Sequence, residues 1–408
     1  MWRPDPSLLV ILGGVSAALH VGKLPPALPA LGDALGLTLV QAGFMLSLVQ
    51  GAGMALGLVI GLAADAWGLK RTLVGGLLIL SLAGFAGGWA RDVPTLLGLR
   101  AAEGLGFLMA SMPAPGLIRR LVPAPGLARR LGLWGAYMPA GTALALLAGP
   151  VAIDLVGWGA WWWLISALSL AMALWIGAAV PSGPRHGAPR PGGAMAPLAR
   201  TLSAPGPWLV ALCFAMYSGQ WLAVIGFLPT VYAQGGFTGA AAGLATAAAA
   251  AVNIVGNVAA GRLLQRGLPA QQLLYAGFVA MGLGGALAFA PLWSAAPPGV
   301  GTAIQYTAVL LFSGLGGLIP GTLFTLAVRL APDERTVSST VGWMQQWSAT
   351  GQFAGPPLVA WVAVATGGWQ WSWVVTGALA LAGLFCAGFI GALLRRASPR
   401  GGPDRGLA

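Results

Sequence analysis

Charge is what this sequence has least of. Only 7% of its 408 residues are charged, 21 Lys and Arg against 9 Asp and Glu, where soluble domains carry about 25%. That shortage excludes a water-solvated globular domain, and with 57% hydrophobic residues it makes lipid the solvent for most of the surface. Two histidines, His20 and His186, and two cysteines, Cys213 and Cys386, are too few for a metal site or a disulfide framework. No metal and no cofactor is expected, and each cysteine stands in an apolar stretch as a packing residue. The chain lacks the glycine-rich loop that cradles nucleotide phosphates and the G-x-S-x-G elbow of a serine nucleophile. ATP-driven work and hydrolysis are therefore not expected of this polypeptide, and it is not read as an enzyme.

What the sequence does have is a series of long apolar runs. A window of about 20 residues places them at 8–32, 40–64, 72–90, 94–117, 128–151, 158–181, 207–233, 237–261, 269–291, 299–328, 336–365 and 370–394. The expected fold is thus an all-α integral membrane protein of twelve transmembrane helices. The first run follows Arg3 without a small-residue cleavage site, so it is expected to be a span and not a signal peptide. A stretch rich in Pro, Gly and Arg, 182–206, separates six runs from six and reads as a flexible central loop. The expected organisation is an N-terminal six-helix bundle over 1–181, that loop, a C-terminal bundle over 207–394, and a tail over 395–408.

The basic residues fall on one side. With a cytoplasmic N-terminus, Lys70, Arg71, Arg119, Arg120, Arg129, Arg130, Arg262, Arg266, Arg329, Arg335, Arg395 and Arg396 lie on cytoplasmic segments, and Arg91 lies outside. The net charge of +12 therefore expresses orientation by the positive-inside rule, with both termini cytoplasmic, and not a nucleic-acid face.

Two motifs carry a resemblance. Gly61-Leu-Ala-Ala-Asp65-Ala-Trp-Gly68-Leu-Lys70-Arg71 joins the second and third runs. Its glycines permit a tight turn, Asp65 can cap or pair at a helix end, and the two cations stay at the anionic interface. The fourth run carries Arg100-Ala-Ala-Glu103-Gly104-Leu-Gly106. Gly261-Arg262-Leu-Leu-Gln265-Arg266-Gly267 echoes the first motif, and Gly149-Pro150 before Gly157-Trp158 is echoed by Gly355-Pro356 before Gly368-Trp369. The chain thus resembles the major facilitator superfamily of secondary transporters. That resemblance implies two pseudo-symmetric halves, helices one, four, seven and ten around a central cavity, and a solute bound near the midplane. It also implies alternating access and a monomer, with Gly61, Asp65, Gly68, Lys70 and Arg71 as a gating element, while the lack of a targeting segment and the short loops set the expectation of a bacterial inner membrane. Pro139-Ala-Gly-Thr, Gly317-Leu-Ile-Pro-Gly-Thr and Gly351-Gln-Phe-Ala-Gly-Pro-Pro look similar to the branch that includes cyanate and nitroimidazole-type transporters. Val-Ala-Ile-Asp154 after Gly149-Pro150 departs from the G-P-x-x-G-G of many drug/proton antiporters.

Polar residues within spans are costly in hydrocarbon and mark function by default. Rising from residue 8 at ~1.5 Å per residue, the first span places His20 at ~18 Å and Lys23 at ~22 Å. The fourth, descending from residue 94, places Arg100 and Glu103 at ~21 and ~16 Å above the inner boundary of a ~30 Å core. All four are expected at similar depth. If Arg100 and Glu103 neutralise one another, Lys23 remains as a cation that His20 can join on protonation, which suits a small anionic solute. Lys23 and Arg100 are then the anchors, His20, Tyr217 and Gln220 further solute ligands, and Glu103 and His20 the proton-coupling candidates. The competing readings are a Lys23 that snorkels to the interface, a purely structural Arg100–Glu103 pair, and an exporter of drugs or metabolites in exchange for protons. Asn253 and Asn257 read as interhelical hydrogen-bonding residues. Trp161-Trp162-Trp163 and Trp369, Trp371 and Trp373 read as anchors at the outer membrane interface.

Overall fold

The computed structural model describes residues 5–182, 195–293, 297 and 299–397, apart from the side chains of 61–63, 65, 66, 124, 125, 128, 129, 195, 335 and 397. It is helical throughout, with no strand among the described residues. The first membrane helix, α1 (Pro6–Leu35), opens where the Asp5 carboxylate accepts the Ser7 amide at 2.8 Å, with Pro6 at a position that needs no donor. Pro25 and Pro26 tighten it into a 3-10 turn before Leu28–Leu35. Helix α2 (Leu39–Trp67) begins with a Thr38/Gln41 capping box and stops at Gly68. Gly68, at φ 96°, adopts a backbone that favours glycine and leads directly into α3 (Leu69–Gly87). Asp92 caps α4 (Val93–Leu121).

Ala124–Gly135 then runs through Ala136 into Tyr137–Ala179. The latter is two helices, α5 (137–156) and α6 (158–179), that meet at Gly157 with φ 80° and ψ 164°. The second set comprises α7 (Pro205–Gln234), α8 (Gly239–Gln265), α9 (Ala270–Phe289), α10 (Val300–Arg329), α11 (Val337–Thr366) and α12 (Ser372–Ala397). Among the described residues, ten stretches are long and apolar enough to cross a membrane. One of these, Tyr137–Ala179, supplies two helices. Helix α11 is long enough at 30 residues but carries Gln345, Gln346, Ser348, Thr350 and Gln352, which lower its hydropathy. Twelve membrane helices result. The polarity of α11 is tolerated because it packs between α2 and α7: Gln346 Nε2 donates to Met54 O at 2.9 Å, and Ser348 O accepts from Ser218 at 2.8 Å.

Three apolar clusters divide the interior. One, with Leu9, Leu73, Leu77, Leu117 and Ile176, belongs mainly to α1–α6. A second, with Phe214, Leu274, Phe278, Phe312 and Leu323, belongs mainly to α7–α12. The third mixes the two sets: Leu24, Leu28, Met45 and Trp161 meet Ala223, Phe227 and Val359. These residues stand at the ends of their helices away from the termini, so the two sets of six are sealed together at that end. The sets also touch through α2 with α11 and α5 with α8.

The central loop departs from expectation in part. Residues 183–194 lie outside the described residues, but Met195–Ser203 forms a helix. It is pinned to the start of α11 by Arg200 paired with Asp333 at 2.5 Å and by Thr201 and Ser339 hydroxyls at 2.6 Å. Sparse apolar content hid this element, which is held by polar contacts and not by a membrane-length run.

Candidate functional site

Four side chains from α1 and α4 converge. Lys23 Nζ lies 2.5 Å from Glu103 Oε1, and His20 Nδ1 lies 3.2 Å from the same oxygen and 3.1 Å from Lys23 Nζ. The other Glu103 oxygen pairs with Arg100 Nη1. Arg100 further donates through Nη1 to His20 O at 2.8 Å and through Nε to Met45 O of α2 at 3.2 Å. His20, Lys23 and Arg100 are 0% exposed and Glu103 is 1% exposed, so Lys23 does not snorkel to the membrane surface.

The backbone explains the convergence. A three-residue spacing puts His20 and Lys23 of α1, and Arg100 and Glu103 of α4, on single helix faces. Gly104 lets the α4 backbone close on α2, since a Cβ there would stand 2.8 Å from Val49 O, and this approach brings Arg100 to the Met45 carbonyl. On α3, a Cβ at Gly84 would meet Ser166 Oγ at 2.2 Å, Glu103 Oε1 at 3.0 Å and His20 Cε1 at 3.1 Å. The glycine therefore makes the room the cluster occupies.

Helix α6 supplies a second layer that sequence reading missed. Trp161 Nε1 donates to Lys23 O at 3.0 Å, and the Trp162 ring centroid lies 4.7 Å from Lys23 Nζ, within cation–π range. Both indoles are buried, at 2% and 0% exposure. This corrects their reading as membrane-interface anchors: they face inward because α6 packs against α1 and must cover a buried ammonium. Ser169 Oγ lies 2.9 Å from His20 Nε2 and 2.9 Å from Ser16 Oγ. The available signal was the spacing of Trp162, Ser166 and Ser169, a polar-edged stripe on one helix face. Every hydrogen bond to the four residues comes from α1, α2, α4 or α6, and none from α7–α12 among the described residues.

The charges do not balance. With Lys23 protonated, it and Arg100 share one carboxylate, which leaves an excess of one positive charge when His20 is neutral. Arg100 Nη2 is buried and has no partner.

The second set of helices holds a neutral network in place of charge. Asn253 Nδ2 donates to Tyr217 OH at 3.0 Å and to Ser313 O at 2.8 Å, Trp221 Nε1 donates to Ser313 Oγ at 3.0 Å, and Asn257 Nδ2 donates to Asn253 Oδ1 at 2.9 Å. This joins α7, α8 and α10. Gln220 is buried, with Nε2 on Met216 O at 2.9 Å and Oε1 unpartnered. Tyr306 OH donates to Ala245 O at 3.2 Å. Gln305 instead lines an uncharged depression of about 450 Å³ with Phe289, Trp293, Thr302 and Gln370, apart from both networks.

Of the loop motif, Lys70 Nζ donates to Gly177 O at 2.9 Å and lies 3.4 Å from Ser182 Oγ, which caps the end of α6. Arg71 is exposed. The helix runs through Gly61 and Asp65, whose side chains lie outside those described.

Comparison with known proteins gives three results. A family model described as the Major Facilitator Superfamily matches residues 10–356. The puromycin resistance protein pur8 of Streptomyces alboniger is 32% identical over 153 residues, 37% of this chain and 29% of that protein, so the match spans under a third of that relative. Among solved structures, a bacterial homolog of the human lysosomal transporter Spinster, in an inward-facing and unoccupied conformation, superposes with a TM-score of 0.74 at 16% identity over 96% of both chains. A D-xylose–proton symporter superposes with a TM-score of 0.70 at 18% identity over 94% of this chain and 96% of that one. At these identities the superpositions speak for the fold.

Proposed function

The chain belongs to the major facilitator superfamily of multi-pass membrane transporters, and from that premise we propose that it carries a small anionic solute by alternating access, coupled to a proton. The carrying observation is the buried excess charge of the Lys23, Arg100 and Glu103 cluster, with Arg100 Nη2 unpartnered. An uncompensated charge in a low-dielectric interior costs several kcal/mol, and an anion beside Lys23 and Arg100 removes that cost. Protonation of Glu103 raises the excess to two cations and so strengthens anion binding. By linkage, anion binding then favours proton uptake, which is the thermodynamic condition for symport. Tyr217 and Gln220 would present neutral groups to the solute from α7. The moving bodies would be 1–181 and 207–394 as a monomer in a bacterial inner membrane, with both termini cytoplasmic. Cyanate, other inorganic anions and monocarboxylates fit this chemistry.

A second reading, export of an organic cation, is favoured by the similarity to a puromycin resistance protein and would require Glu103 to be released from its cations. Thermal unfolding of purified protein with sodium formate, sodium nitrate or tetraphenylphosphonium separates the two, because stabilisation tracks ligand occupancy. Formate or nitrate should stabilise the wild type, more so at lower pH, and should have no effect on Lys23→Gln. Stabilisation by tetraphenylphosphonium alone, preserved in Lys23→Gln, would replace the anion reading with the exporter reading.

A further inference from the structure

We infer that Ser169 and Ser16 form a proton relay to Glu103 along the α1–α6 contact, separate from the path between the two sets of helices. This deepens the proton-coupled reading above and rests on it. Glu103 Oε1, His20 Nδ1, His20 Nε2, Ser169 Oγ and Ser16 Oγ follow one another at 3.2, 2.9 and 2.9 Å across the hydrogen bonds. Every member is buried, with Ser16 at 2% and Ser169 at 0% exposure.

Each junction can carry a proton. With His20 protonated at Nδ1, its N–H donates to Glu103, and Nε2 accepts from Ser169, which in turn accepts from Ser16. A proton arriving at Ser16 Oγ displaces the Ser16 hydroxyl proton to Ser169. The Ser169 proton passes to His20 Nε2, and the Nδ1 proton passes to Glu103. One proton enters and one carboxylate is neutralised; no group changes oxidation state. His20 is left as its Nε2–H tautomer, with Nδ1 free to accept from Lys23 Nζ at 3.1 Å. Hydroxyl rotation and ring reorientation restore the starting arrangement.

The surroundings fit this direction of travel. Ser16 stands one helical turn from His20 toward the end of the molecule that carries the termini. On α3, Gly84 abuts Ser166. Ser81 lies three residues before Gly84, and Ser169 three residues after Ser166 on the antiparallel α6, so both lie ~4.5 Å to the same side of that contact. The Ser81 hydroxyl is buried without a partner, a further polar group at the depth of the relay. The charged groups facing Glu103 are Lys23 and His20 from α1 and Arg100 from α4. Helix α2 presents the Met45 carbonyl, α3 presents Gly84, and α6 presents Ser166, Ser169 and Trp162, none of them charged.

Infrared difference spectroscopy after a pH jump, on purified full-length protein without solute, tests the relay. The carboxylic acid band absent from Glu103→Gln reports Glu103 protonation. Ser169→Ala and Ser16→Ala should slow its appearance about tenfold or more, the scale of losing a positioned proton-transfer group, while Ser169→Thr, which keeps the hydroxyl, retains the wild-type rate. Retained circular dichroism and an unchanged final amplitude would show that the alanine variants are folded. Wild-type rates in both alanine variants, or no Glu103 band in the wild type, would overturn the relay. Formate stabilisation is read separately. If formate protects the wild type but the serine variants protonate at the normal rate, the relay fails and anion transport stands. Slowed protonation with no anion effect supports the relay and rejects the anion.

Discussion

The two sets of six helices solve the same packing problem with different chemistry. In α1–α6 the polar interior is ionic: Glu103 is shared by Lys23 and Arg100 under the Trp162 ring. In α7–α12 it is neutral, with Asn253 binding Tyr217 and the Ser313 carbonyl. The scaffold itself repeats. Gly84 faces the hydroxyl of Ser166, and Gly285 faces that of Thr376, where added Cβ atoms would come within 2.2 and 2.5 Å. Among the described residues, the buried charged side chains His20, Lys23, Arg100 and Glu103 all lie in the first set, so under the proposed proton coupling the switching would be concentrated there. The second set supplies a neutral wall in which Asn253 ties α7, α8 and α10 together while Gln220 Oε1 stays unpartnered.

Removing the carboxylate should break this contrast most severely. Glu103→Gln leaves two buried cations without a counterion and should cost about 3–5 kcal/mol of stability, measured by denaturant titration in detergent. Lys23→Met leaves the neutral Arg100–Glu103 pair and discards an ammonium's desolvation cost, so it should change stability by no more than about 1 kcal/mol. Equal losses in the two variants would mean that charge balance does not govern the cluster.

Overpacking sharpens the comparison. Gly84→Ala intrudes on Ser166, Glu103 and His20 together, whereas Gly285→Ala meets Thr376 alone. Such insertions cost about 1–3 kcal/mol, and Gly84→Ala should lie at the upper end with Gly285→Ala at the lower. The reverse order, read from the same titration, would show that helix packing outweighs the ionic contacts. Within the neutral network, Asn253→Ala should cost about 0.5–2 kcal/mol, the span for interhelical hydrogen bonds in membranes, and leave the pH dependence of stability as in the wild type. A shifted pH profile would link the two networks.

Much of this arrangement is legible in the sequence, for definite reasons. Apolar length finds the membrane helices, and depth along α1 and α4 brings His20, Lys23, Arg100 and Glu103 to one level, because rise per residue is nearly constant. Direction around a helix is less secure. Pro25, Pro26 and Gly157 each reset the local path, and no count of residues across such a break says which side Trp161 and Trp162 face. Ser16 and Ser169 are hidden for another reason: a serine in a span usually bonds its own helix, and only the packing of α1 on α6 sets these two against each other. The helix at Met195–Ser203 owes its position to Arg200 and Thr201 contacts that composition does not reveal.

The smallest expected effect lies where the two sets differ at their first helices. Helix α1 is capped by Asp5, while the matching position before α7 is Ala204, whose backbone is extended at φ −96° and ψ 139° and which makes no side-chain cap. The Asp5 carboxyl is held below the usual carboxylate range chiefly by the Ser7 hydroxyl at 2.7 Å, with the Ser7 amide and Arg130 adding to this and partial burial opposing it. A lowered folded-state value means that the stabilisation is present above the unfolded value of ~3.9 and is lost as pH falls below it. Asp5→Ala should therefore cost about 1 kcal/mol at neutral pH, little of it from the half-exposed Arg130 pair, and the gap from wild type should close in acid. Ala204→Asp should do the converse and stabilise α7 by about 0.5–1 kcal/mol, because its extended backbone already suits a cap and Pro205 needs no donor. If thermal unfolding against pH shows a gap that persists in acid, the Asp5 effect is one of packing, and the asymmetry between α1 and α7 is not electrostatic.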